Sequence, residues 1–349
     1  MALNGMRSLL LLLLCSTVVL CANGDLAAQT PQELLRNGLL ALQRNDLEAA
    51  QADLQSAAAQ QPSNPRVWVA LSQTLWKRKE FAKADDAAQK AWSFAGEDSA
   101  VLRGLVIYYL ERDQTVRAAE AQARFAAVNP ADEGAQERAI ALYFEAVQPL
   151  LAAQKFGEAL AILQKASPSV VKSAQIQIAL GVAYYGLRRY DESAEAFLAV
   201  IALDPSLKQP YLFLGKMLEQ ISLRLEEVTR LFVAFEKQNP FDPDGVLLHA
   251  KALDARAVEP EAARKLLEKV IAMVPGNADA HFELGTLLER TRHFPEAAAE
   301  FERAEALNPS DPSTHYRLSR LYQRLNKPEA AIAEREQHRK MVTAQNAAR

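Results

Sequence analysis

The sequence predicts an all-α fold built from stacked helical hairpins, and three observations carry that prediction. Alanine supplies 63 of the 349 residues and glycine only 13. Alanine loses least entropy in a helix and glycine most, so this balance favours helices over a turn-dense sheet. Apolar residues recur at spacings of three and four on both sides of short polar breaks, the pattern of two amphipathic helices joined by a turn. Prolines that follow Asn, Asp or Gln return almost periodically at Pro62, Pro130, Pro205, Pro240 and Pro309, with Pro275 in phase and Gly96 midway between the first two. The steps are 34, 34, 75, 35, 35 and 34 residues, and 75 is two units of 34 with seven residues added. Proline cannot continue a helix interior and disfavours helix at the residue before it, so it stops one helix where the next must start.

Half of the residues are apolar and 24% are charged, which is ample material for a packed core. Forty basic against 43 acidic residues leave a formal net charge of −3, against the basic excess of a general nucleic-acid binder.

In chain order, residues 1–24 read as an export signal. Arg7 precedes the apolar run Leu9–Leu14, and Ala22-Asn23-Gly24 offers small residues at a cleavage site. The run is shorter than the roughly 20 residues a spanning helix needs, so cleavage is favoured over an N-terminal anchor. A lipid on Cys21 fits poorly, because Leu20 stands where a small residue is expected. The expected product is exported, periplasmic or secreted, with no integral membrane segment. Both cysteines, Cys15 and Cys21, would leave with the signal, which removes disulfide, thiolate and cysteine-zinc chemistry.

Helical units follow near 31–64, 65–98, 99–132, 133–173, 174–207, 208–243, 244–277, 278–311 and 312–349. Thr30-Pro31-Gln32-Glu33 opens the first as a capping box with proline at the first helical position, and Asn64-Pro65 and Asp311-Pro312 repeat the cap-then-proline order. The clearest copy of the internal pattern is Leu284-Gly285, Leu288, Phe294, Ala297, Phe301, Ala304, Asn308-Pro309. A second is Leu180-Gly181, Tyr184, Tyr190, Ala194, Phe197, Ala199, Asp204-Pro205. Small residues let the two helices of a unit approach closely, and the aromatics fill the gaps. In register across the chain, the pattern resembles the tetratricopeptide repeat. The resemblance implies a right-handed α-solenoid whose first helices line a concave groove, with about nine repeats over residues 25–349.

Two units depart from the pattern. The third carries Thr115, Gln122 and Phe125 where the family prefers an aromatic, a large apolar and a small residue. The fourth has seven extra residues and Pro149 inside its first helix, so a lengthened, kinked helix is expected there, dividing the array. The last helix is rich in charge, as suits a terminal unit facing water.

The chemical motifs searched for are missing. The sequence has no Gly-x-Ser-x-Gly elbow, no His-Glu-x-x-His, no phosphate-binding glycine loop and no Cys-x-x-Cys pair. Asp242-Pro243-Asp244-Gly245 lacks the closing glutamate of a calcium loop and reads as a capped turn. His281 and His315 are 34 residues apart, one per repeat, too far for joint ligation, and read as repeat packing. No catalytic, cofactor or metal residue is expected.

What remains is a surface. The resemblance places Gln73, Trp76, Lys77, Arg103, Ile107 and Phe144 in the N-terminal part of the groove, an apolar and aromatic stretch together with Leu35, Leu39, Leu42, Val69 and Leu110. Tyr185, Lys216, Arg256, Arg290, Tyr316, Arg320 and Arg324 fall in the C-terminal part, with an excess of arginine. Trp76 is expected to stand exposed beside Lys77, Arg103 and Ile107, whereas Trp68 should pack inside its own unit. The positions where chaperone-binding members hold a terminal carboxylate carry Leu, Val, Phe and Ile, so that activity is not implied. The apolar groove residues either bind a partner or merely pack between units. The expected function is a non-catalytic scaffold binding a peptide or partner helix. The alternative is a dedicated periplasmic part of a secretion or polysaccharide-export machine.

Overall fold

A computed structural model describes residues 29–347, with side chains described to residue 344. The expected signal segment lies outside the described residues. Within them the regular structure is helical throughout. The helices follow one another as hairpins: α1 (Pro31–Gln43) with α2 (Leu47–Gln60), α3 (Pro65–Lys77) with α4 (Phe81–Phe94), and α5 (Ser99–Glu111) with α6 (Thr115–Val128). The irregular set α7 (Glu133–Ala152), α8 (Phe156–Leu163) and α9 (Pro168–Val171) comes next. After it come α10 (Ala174–Gly186) with α11 (Tyr190–Leu203), and α12 (Lys208–Lys216) with α13 (Leu225–Gln238). The chain closes with α14 (Pro243–Ala255) and α15 (Pro260–Met273), α16 (Ala278–Arg290) and α17 (Phe294–Leu307), and α18 (Pro312–Arg324) and α19 (Pro328–Ala347). Among the described residues, no helix is long and apolar enough to cross a membrane.

Each helix start and stop has a local cause. The first helices are capped by Thr30, Asn64, Asp98, Ser173, Asp242, Asn277 and Asp311, whose side-chain oxygens accept from backbone N–H groups of the first turn. Each such cap is worth about 1 kcal/mol. The turn inside a hairpin is also standardised. Asn45, Lys79, Asp113, Gln154, Arg188, Arg292 and Asn326 all have positive φ, between 53° and 67°. The next residue closes a six-residue turn back to the helix, as in Glu80 N to Leu75 O (2.9 Å) and Arg189 N to Tyr184 O (2.9 Å). This is the Schellman ending, which satisfies helix carbonyls and normally uses glycine.

The hairpins close because a small residue faces a large one. A Cβ on Gly181 would fall 2.7 Å from the ring of Phe197, and one on Gly285 would fall 3.0 Å from Phe301. Phe197 and Phe301 are themselves fully buried. A second contact joins four of the hairpins to the segment before them. Four residues into their helices, Trp68, Tyr211, His281 and His315 place a side-chain nitrogen or oxygen on the carbonyl of the proline six residues earlier. The distances are 2.6 Å to Pro62, 3.1 Å to Pro205, 3.2 Å to Pro275 and 3.2 Å to Pro309. Trp68 is half-buried, set between the junction with the preceding hairpin and Lys90 on the second helix of its own.

The chain forms two compact units. The first holds residues up to Ala146 plus Lys165–Val170, and the second holds Val147–Gln164 and Val171 onward. The boundary falls within α7, three residues before Pro149. The seven extra residues have gone into this helix, which has 20 residues against 13 in α5 or α10. Pro149 does not break it. The proline lies in the last turn, where the one carbonyl it orphans is that of exposed Glu145, open to water, and Ala153 N still reaches Pro149 O at 3.0 Å. A break appears elsewhere, unforeseen: α12 stops after nine residues, and Met217, Leu218 and Ile221 are buried from a non-helical segment.

Two substitutions in the α10–α11 hairpin should have opposite signs. Gly181→Ala should lower stability by about 1–2 kcal/mol despite alanine's better helix propensity, because Phe197 is stacked on Phe213 (4.8 Å) and its ring cannot yield. Arg188→Gly should raise it by about 1 kcal/mol through relief of the left-handed backbone. Urea unfolding of both variants reads the pair.

Candidate interaction surface

The expected groove residues divide between the two units. In the first, α1, α3 and α5 form a row of first helices. Gly104 sets the spacing of α5 on α3, since a Cβ there would lie 2.6 Å from Val69 Cγ1. Leu39 of α1 and Ile107 and Leu110 of α5 are 41%, 47% and 44% exposed on this row. Lys77 and Arg103 are also exposed, Gln73 is half-buried, and Phe144 is half-buried on α7.

Trp76 differs from expectation. It is half-buried, its ring 4.7 Å from Phe81 at the start of α4, with the Arg112 guanidinium 4.6 Å above it. Arg112, one hairpin on, also binds Asp85 (3.1 Å), so the cation over this indole is neither Lys77 nor Arg103. Arg103 lies instead over Phe125, at 5.0 Å. All three tryptophans are covered in the same way: Lys90 lies 4.3 Å from Trp68 and Arg124 lies 4.4 Å from Trp92. Such contacts contribute about 0.5–1 kcal/mol each at exposed sites. Asp85 is pulled two ways: burial pushes its carboxyl up, but hydrogen bonds from Arg112 and Tyr108 outweigh it and hold the group below its ordinary value.

In the second unit two of the four expected groove arginines, Arg290 and Arg324, are held in ion pairs. Arg290 binds Asp254, Arg317 and Arg324 both bind Glu289 (3.1 and 3.4 Å), and Lys251 binds Glu283 (2.7 Å). These pairs link neighbouring first helices, so α14, α16 and α18 carry a charge ladder in place of a free basic patch. Lys216 lies 5.6 Å from the Phe213 ring, and Tyr185 packs edge-on against Tyr190 and Phe213. Arg256 is the exposed C-cap of α14. Tyr316 is 46% exposed, with Arg320 5.7 Å from its ring and His338 of α19 at 5.5 Å. With Phe282, Pro312, Ser313 and Arg317 they line an open cavity of about 430 Å³.

The sequence reading missed the contacts of Phe81 and Arg112 with Trp76 and the ion pairs of Asp254 and Glu289. The signal for the last two was available: acid and base recur on first helices 35 or 36 residues apart, as in Asp254 and Arg290 or Glu289 and Arg324.

Tetratricopeptide-repeat family profiles match residues 41–106, 174–207 and 247–312. The chain is a tetratricopeptide-repeat protein. The unmatched stretches include the long α7 with its following helices and the shortened α12, which are the places where the hairpin geometry departs from the rest. Among solved structures, a thermophilic tetratricopeptide-repeat protein of Thermus thermophilus is 21% identical. That match covers 48% of this chain and 91% of that one, with a TM-score of 0.44. The MamA protein is 18% identical over 50% of this chain and 94% of its own, with a TM-score of 0.36. A tetratricopeptide-repeat protein of Parabacteroides merdae is 15% identical over 84% and 98%, with a TM-score of 0.37. Comparison with curated proteins gives no match.

Trp76→Ala should cost about 2 kcal/mol, since a half-buried indole and its Phe81 and Arg112 contacts are lost. Asp85→Asn should lower the melting temperature at neutral pH. A depressed carboxyl pKa contributes stability above the group's ordinary value, and that contribution is lost as pH falls through the folded value. The difference between wild type and Asp85→Asn should therefore shrink below about pH 4, the ordinary aspartate value, as thermal melts across acid pH will read.

Proposed function

We propose that this chain, which carries the tetratricopeptide repeats of protein-interaction scaffolds, is a non-catalytic scaffold that takes a segment of a partner protein along the row formed by α1, α3 and α5. The observation that carries this reading is the exposure of Leu39, Ile107 and Leu110 on that row, beside the cations Lys77 and Arg103. Full burial of one such aliphatic side chain is worth about 1.5–3 kcal/mol, so three half-exposed ones offer an appreciable anchor. Trp76 packs at the end of α3 in a tilted contact with Phe81. A second, smaller contact point is the cavity of Tyr316 and Arg320.

A photo-crosslinking residue at Ile107 should give discrete adducts with a partner protein in extracts of producing cells. The same residue at Phe94, exposed on the second helix α4, should not. The double variant Leu39→Asp with Ile107→Asp should abolish the adducts while thermal stability changes by no more than about 0.5 kcal/mol. Equal crosslinking from both faces overturns the reading.

Export belongs to the same proposal, including the narrower reading of a periplasmic assembly component. Mass spectrometry of the protein from producing cells should find a first residue near Asp25. An intact Met1, or a lipid on Cys21, contradicts it.

A further inference from the structure

The junction of α17, α18 and α19 gathers a side-chain cluster that the equivalent junction one repeat earlier lacks. His315 is 3% exposed and its Nε2 lies 3.2 Å from the Pro309 carbonyl. That carbonyl can only accept, so it fixes Nε2 as the donor and turns Nδ1 to the other side. There Nδ1 faces Glu334 Oε2 of α19 at 2.6 Å and Glu305 Oε1 of α17 at 3.4 Å. The three ligand atoms lie within 4.8 Å of one another. Among the described residues, no lysine or arginine pairs with Glu305, Glu334 or the neighbouring Glu302, which accepts from Tyr322 (2.8 Å).

The repeat before provides an internal comparison. His281 likewise places Nε2 3.2 Å from the Pro275 carbonyl and Nδ1 2.7 Å from Glu300. There, however, Ile271 occupies the place of Glu305, and Arg303 pairs with Glu300. The residue equivalent to Arg303 in the last repeat is the uncharged Gln337. The same histidine lock is thus charge-compensated in one repeat. In the next it has a second carboxylate and no compensating arginine.

We propose that Glu305, His315 and Glu334 bind one divalent transition-metal cation of the zinc class, through Nδ1 and the two carboxylates. Imidazole with carboxylates suits zinc, whereas calcium and magnesium call for six or more oxygen ligands. A ligating imidazole typically donates its second ring nitrogen to a backbone carbonyl or carboxylate, and Pro309 already takes that role. The side chain of Glu305 is 31% exposed, leaving an open side for entry and for a water ligand. Zinc bonds of about 2.0–2.2 Å imply ligand atoms about 3.3 Å apart. Glu305 already stands near that distance from Nδ1, at 3.4 Å, and Glu334 stands closer to it, at 2.6 Å. Bound zinc would tie α19 to α17 and α18.

Zinc titration of the untagged full chain by isothermal calorimetry, near neutral pH, tests this directly, with melting curves recorded with and without zinc. One saturable equivalent is expected, reversible by a chelator and accompanied by a rise in melting temperature. Glu305→Gln should weaken binding at least tenfold while leaving the helical circular dichroism spectrum unchanged, and His315→Gln should weaken it further. His281→Gln should leave zinc affinity unchanged. Cobalt substituted for zinc should show visible absorption that Glu305→Gln removes. The proposal is overturned if no equivalent binds, if Glu305→Gln binds as wild type does, or if His281→Gln weakens binding equally.

Discussion

The bond from the fourth residue of a helix back to a proline carbonyl is the contact on which the stacking of these hairpins depends. A hairpin can close on its own, with Phe197 against Gly181 or Phe301 against Gly285, but closure alone leaves its orientation toward the preceding hairpin unset. The carbonyls of Pro62, Pro205, Pro275 and Pro309 sit where one helix has ended and the next has not begun, so they lack helical partners. Trp68, Tyr211, His281 and His315 each provide the missing partner, using three different side chains for one geometry. Bonds of this kind contribute only about 1 kcal/mol net, yet Tyr211, His281 and His315 are buried, and leaving their polar atoms unpaired would cost more, which makes other orientations unfavourable.

Charge follows the same rule of reaching one hairpin and no further. Arg66 binds Asp98, Arg78 binds Glu48, Lys251 binds Glu283, and Arg324 binds Glu289. Pairs this exposed add little stability each, and salt weakens them. Their larger effect is on the surface they leave behind. With Arg290, Arg317, Arg324 and Lys251 committed to neighbours, α18 of the second unit offers Tyr316 and Arg320, while the first unit offers aliphatic side chains.

Most of the fold was legible because its cause is periodic. The prolines and the Asn and Asp caps recur mostly at steps of 34 or 35 residues, and the Gly–Phe pairs keep one offset of 16 residues. The left-handed turn residues were not legible, because Lys79, Gln154, Arg188 and Arg292 occupy a conformation that glycine would announce and they do not. Nor was the early end of α12, whose following residues are as apolar as a helix face and are buried without being helical. The candidate surface was legible by position, as Ile107, Lys77 and Arg103 show, and less so by environment. Counting along one helix places Trp76, but Arg112 comes from the next hairpin. Glu305, His315 and Glu334 are spaced by ten and nineteen residues on three helices, a pattern that no short motif describes.

The seven added residues of α7 bear on how such a chain can change its length. Seven residues make almost two full turns of an α-helix, so an insertion of that size returns the side chains beyond it to nearly the angular phase they had before. An insertion of two or five would swing the apolar stripe toward solvent. Gene duplication can add whole units, since the caps at Thr30, Asn64 and Asp98 recur at the unit length. Between whole units, helical phase restricts growth to steps near multiples of the turn, and α7 has taken the step of two turns.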